Sequence, residues 1–66
     1  MTRAKRIALQ NAASAIESDV ANGAEYIATD PQTHADLPER SVEAIEREMK
    51  AIAARLRERA SGQRRR

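Results

Sequence analysis

Val42, Ile45, Met49, Ile52 and Leu56 recur at spacings of three, four, three and four residues. That is the two-per-heptad apolar seam of a coiled-coil-like helix. It constrains the fold more than any other feature of the chain, because a single helix cannot cover its own apolar stripe and needs another helix against it. The neighbouring residues agree on a helix over about 37–60. Asp36 followed by Glu39 fits a capping box, and Pro38 suits a first helical turn. Glu43 to Arg47 and Glu46 to Lys50 are spaced for ion pairs along one face, and Gly62 supplies a C-terminal stop.

The first half repeats the period more faintly. Leu9, Ala13, Ile16, Val20 and Ile27 fit a heptad seam, with Gly23 on the seam position between Val20 and Ile27. Asn22-Gly23 is a strong hairpin signal only between alternating β-type residues, and its flanks here carry the helical period. The pattern therefore predicts a helix over about 3–29 that runs through Gly23, at a cost of about 1 kcal/mol relative to alanine. A break after Ala21 or Asn22 is the alternative. Residues 29–35, TDPQTHA, are polar, and the residue before Pro31 disfavours helix, so they form the connection.

These readings give an all-α protein, an antiparallel two-helix hairpin over residues 1–61 with a basic tail at 62–66. A lone hairpin covers only the strip where its helices touch. Each seam keeps an exposed flank, so the expected completion is a four-helix bundle formed as a homodimer, or docking on a helical protein partner. Ala12, Ala13, Ala24, Ala53 and Ala60 flank or occupy the seams and permit close approach. Tyr26, the single aromatic, is expected to cap the bundle near the connection.

Composition points the same way. The chain holds 14 alanines and only a dozen large apolar side chains beyond Met1, a thin supply for a core. It has no cysteine for a disulfide and no cluster of metal ligands, which leaves association as the remaining source of stability. Absence of cysteine fits a reducing compartment. No apolar run approaches the roughly 18 residues of a membrane span, and the basic start is followed by a stretch too polar for a signal peptide. A soluble, cytoplasmic protein is expected.

Charge is laid out by position. Residues 1–16 carry three positive charges and no negative ones, residues 17–46 a net of −7, and residues 47–66 a net of +6. In an antiparallel hairpin the two basic segments meet at one end and the acidic segment takes the other. Acid at its start and base at its end suit the dipole of the second helix. Arg3, Lys5 and Arg6 oppose the dipole of the first, which invites an outside reason. One is a dimer that sets each basic pole beside its partner's acidic pole; another is an anion at the basic end.

Nothing in the sequence assembles a reaction centre. His34 stands alone on a polar loop with Asp30 and Asp36, which reads as plain surface rather than a metal or acid–base site. Glu43, Glu46 and Arg47 read as solvated charge. There is no glycine-rich phosphate loop and no H-E-x-x-H. No enzyme, no cofactor and no small-molecule substrate are expected. The expected function is a non-enzymatic interaction or regulatory protein working through Leu9, Ala13, Ile16, Val20, Ile27, Val42, Ile45, Met49, Ile52 and Leu56. The alternative is a small nucleic-acid-binding regulator. Its candidate contacts are Arg3, Lys5, Arg6, Arg55, Arg59, Arg64, Arg65 and Arg66, with Arg57 as a further phosphate grip. Without interleaved aromatics such binding would be salt-sensitive and weakly sequence-specific.

Two short resemblances bear on these readings. The opening MTRAKRIALQNA resembles the start of Rop-type plasmid RNA-binding hairpins, through Met1, Thr2, Ala8, Leu9 and Ala12. This resemblance implies a dimeric four-helix bundle and an RNA-contacting face that includes Arg3 and Gln10. Ser14 stands where that family has an aromatic, and Glu25 where it has a lysine. Residues 37–45, LPERSVEAI, are similar to the lead into the last helix of Myb-like DNA-binding domains, and imply a DNA-reading helix, though one carrying Glu43, Glu46 and Glu48.

Overall fold

The computed structural model of the chain describes residues 1–23 and 27–62. Two helices account for its regular structure, α1 (Arg3–Ala21) and α2 (Glu39–Ser61), and they pack together as the expected all-α hairpin. α1 starts where Thr2 leaves the extended conformation, and the Thr2 hydroxyl accepts a hydrogen bond from the Lys5 amide at 3.1 Å. That bond satisfies one of the donors a helix start leaves unpaired.

α1 is shorter than the 3–29 that its apolar period predicts. It ends at Ala21, and the chain turns at Asn22-Gly23, so the alternative reading of that pair is the correct one. The Asn22 amide donates to Ser18 at 3.0 Å, the Gly23 amide donates to Val20 at 3.1 Å, and Gly23 has φ +61. Glycine reaches this left-handed region without the clash a Cβ would bring, and it is a poor residue to keep inside a helix. Stopping here also lets the chain fold back far enough to bury Ile27, which is 4% exposed. The Tyr26 cap and the packing role of Ala24 lie outside the described residues.

α2 starts at Glu39 with Pro38 at its N-cap and no side-chain cap. The expected capping box does not form, because the N-cap is Pro38, two residues after Asp36, and proline has no side-chain acceptor; the backbone at Asp36 instead pairs with Thr29 in an antiparallel bridge. Beyond that bridge the Leu37 amide donates to Ala28 at 2.7 Å, and inside it the Asp30 amide donates to Ala35 at 2.9 Å. The tip is held by Asp30, whose carboxylate accepts from the Gln32 amide at 2.8 Å and whose carbonyl accepts from the His34 amide at 2.7 Å. His34 takes φ 62 to complete the turn, a conformation that Asn, Asp and His adopt more readily than other side chains. At the far end Gly62 stops α2 as expected, with φ 72 and its amide on the Arg59 carbonyl.

The register is antiparallel and staggered. Arg57 reaches both Ser14 and Glu17, which carries Ala13 to about the level of Ala60 and Val20 to about that of Ala53. Ala13, Ala53 and Ala60 are 0%, 2% and 3% exposed, so the helices meet through alanines. Roughly the first two turns of α1 then extend past the end of α2, and residues 3–8 are exposed throughout. In the N-terminal half of α2, Val42, Ile45 and Met49 are half-buried, and Ile27 in the connection is buried.

A Gly23→Ala substitution tests the corner. No atom lies within 4 Å of where its Cβ would sit, so only the backbone conformation resists it. It should lower stability by about 1 kcal/mol in urea denaturation. A helix running through residue 23 would instead gain about that much.

Candidate interaction surface

Arg57 organises one side of the hairpin. Its Nε donates to Glu17 Oε2 at 2.8 Å and its Nη2 to Glu17 Oε1 at 2.7 Å, a two-point clasp, while Nη2 also donates to Ser14 Oγ at 3.1 Å. Both side chains are about half exposed, at 45% and 47%, so water screens the pair and it adds little to stability, while its two-point geometry marks the register. The hydrogen bond from Arg57 holds the Glu17 carboxyl below its ordinary value, and the guanidinium charge adds to the effect. The same bond pushes Arg57 further up.

This is the ion pair that forms among the described residues. The pairs expected within α2, Glu43 with Arg47 and Glu46 with Lys50, do not close. Glu43, Arg47 and Lys50 are exposed, and in water ordering two long side chains costs about as much as their attraction returns. Nor did the sequence point to Glu17–Arg57: the partners are 40 residues apart and nothing local couples them.

The clasp also sorts the flanks of the seams. At about 100° per residue, Glu17 and Ser14 lie to one side of buried Ala13, and Leu9 and Ile16 to the other. In α2, Arg57 lies to one side of the Ala53–Ala60 line, and Ile45, Ile52 and Leu56 to the other. Antiparallel helices bring like flanks together, so the hairpin has a polar flank and an apolar flank. The polar flank holds an open groove of about 510 Å³ with an alanine floor at Ala53 and Ala54, walled by Glu17, Lys50, Arg57 and Glu58.

Of the ten seam residues, Ala13 and Ile27 are buried, and Ile52 is 40% exposed. Leu9, Ile16, Val20, Val42, Ile45, Met49 and Leu56 are half-buried. The inner line of α2 passes through Ala53 and Ala60 in place of Ile52, which is displaced onto the apolar flank. A strict heptad count concealed this shift, because it favours large side chains over small ones. Ile7, 42% exposed on the overhanging turns of α1, was not among the expected contacts either.

Arg3, Lys5, Arg6, Arg55 and Arg59 are all exposed, and the antiparallel register gathers them toward one end. Arg57 is withdrawn from that set, since its guanidinium is committed to Glu17 and Ser14. Arg64, Arg65 and Arg66 lie outside the described residues. His34 serves the turn. Among the described residues no group of three or more His, Asp or Glu side chains is placed to hold a metal ion, and no helix is long and apolar enough to cross a membrane.

The clasp carries a pH signature. With its folded carboxyl below the ordinary 4.5, Glu17 contributes stability above that value and loses it as pH falls through the lower folded one. The stability difference between the wild type and Glu17→Gln should therefore shrink as urea titrations move from about pH 6 to about pH 3.

Compared with protein-family models, curated proteins and solved structures, the chain matches none.

Proposed function

We propose that the chain is a small non-enzymatic interaction protein that works by self-association, or by docking on a helical partner, through its apolar flank. The observation that carries this reading is the state of the large apolar side chains. None of those on α1 or α2 is buried, and the residues that are buried between the helices are alanines. The apolar stripe that could stabilise the hairpin is thus only partly used within it. Covering the rest with a further helical surface is the direct way to remove it from water. Sedimentation equilibrium at micromolar concentration tests the proposal. A concentration-dependent oligomer is the expected result, and a cooperatively folding monomer would overturn self-association.

A second reading rests on the basic end. Five exposed cations from two separate segments gather there, and this end would attract a polyanion. If it binds nucleic acid, affinity for duplex DNA or an RNA hairpin should fall steeply between about 50 and 200 mM salt and vary little with sequence. Absence of binding at the lower salt would remove this reading.

A further inference from the structure

We propose that the apolar flank, and not the flank bearing the Glu17–Arg57 clasp, is where a second copy of this chain docks, with the two hairpins running in opposite directions about a twofold axis near Ile52. This inference rests on the self-association proposed above and adds the face and the orientation.

Three observations select the face. On the clasp flank Arg57 is paired across the helices with Glu17 and Ser14, and the groove is walled by Glu17, Lys50, Arg57 and Glu58, which a packing helix would have to strip of water. The opposite flank offers Leu9, Ile16, Ile45, Ile52 and Leu56 from both helices in one patch. Ile52, the most exposed large apolar side chain of α2 at 40%, lies near its middle. A patch contributed by two helices presents a shallow valley between them, which is the surface that accepts another helix pair.

Charge selects the occupant and its direction. The rim of the apolar flank along α2 carries Glu48 on the acidic side of Ile52, and Arg55 and Arg59 on the basic side; all three are exposed. Under a twofold axis at Ile52, Glu48 of each copy falls beside Arg55 of the other, with Arg59 next along. The rim is therefore complementary to itself, as an isologous interface requires. Among the described residues, the same rotation lays the acidic start of α2, with Glu39, Glu43 and Glu46, toward the second copy's basic end, with Arg55 and Arg59. A parallel arrangement would set Arg55 and Arg59 against their own kind. The charge that works against the dipole of α1 acquires a reason here, since Lys5, on the same rim, points toward the acidic end of the second copy.

The chain has no cysteine, so one introduced thiol reports on one position. In the full chain, Ile52→Cys should form disulfide-linked dimers on mild oxidation, because positions at a twofold axis bring their Cα atoms within the roughly 7 Å a disulfide needs. Ala54→Cys, exposed on the clasp flank, should stay reduced under the same conditions. Orientation is read separately. Glu48→Arg should weaken dimerisation about five- to tenfold at low salt, since the changed contact occurs twice per dimer, and adding Arg55→Glu should restore it. If the protein sediments as a monomer and neither thiol cross-links, the self-association reading falls with this one. If it is oligomeric and Ala54→Cys cross-links as readily as Ile52→Cys, self-association stands and the face is wrong. An oligomer in which Arg55→Glu fails to rescue Glu48→Arg overturns the antiparallel orientation.

Discussion

The packing of α1 on α2 through alanines is the constraint on which the rest of the structure depends. Ala13, Ala53 and Ala60 let the two backbones come close, and they are nearly absent from the surface. Close approach has a consequence for the larger residues. Leu9, Ile16, Ile45, Ile52 and Leu56 cannot sit on the line of contact without prising the helices apart, so they flank it and remain partly in water. Each alanine removes little apolar area from solvent. The hairpin is thus held by a narrow seam, and most of its capacity for hydrophobic stabilisation lies beside that seam.

Electrostatics then distinguishes the two flanks. The guanidinium of Arg57 meets Glu17 at two points and Ser14 at a third, all on one side, and this clasp marks the register. The stagger that follows leaves the first turns of α1 overhanging α2 and gathers Arg3, Lys5 and Arg6 toward the end where Arg55 and Arg59 emerge. The acidic residues are carried to the other end by the connection and the start of α2. The clasp therefore marks the register that alanine packing adopts, in which one apolar flank stays open and the charges divide between the two ends.

Much of the fold was legible in the sequence. The apolar period of α2 and its glycine stop sufficed for that helix, because both are local: the period follows from helix geometry, and Gly62 takes a left-handed φ at little cost. The end of α1 was legible only as an alternative. Its period continues to Ile27, and a one-dimensional pattern cannot distinguish a helix that carries Ile27 along its seam from a turn that brings Ile27 back to it. The absent capping box shares this origin. Spacing sets Asp36 three residues before Glu39, but the backbone around Asp36 pairs with Thr29, and the helix starts only at Glu39 with Pro38 as its N-cap. Spacing also could not say which of Ile52 and its neighbour Ala53 lies on the line between the helices, since close packing, which favours the smaller, is set by the partner helix.

The sequence by itself determined that the chain is helical, that its halves pair in opposite directions, and that its charge divides into a basic and an acidic end. These depend on spacing, turn chemistry and the order of charges along the chain. Only the tertiary structure decided that Asn22-Gly23 is a corner, that alanines form the line of contact, and that Arg57 belongs to Glu17 instead of to the basic end. The alanine contacts and the clasp join residues far apart in the chain, and the corner brings Ile27 back to be buried; spacing along the chain reveals none of these.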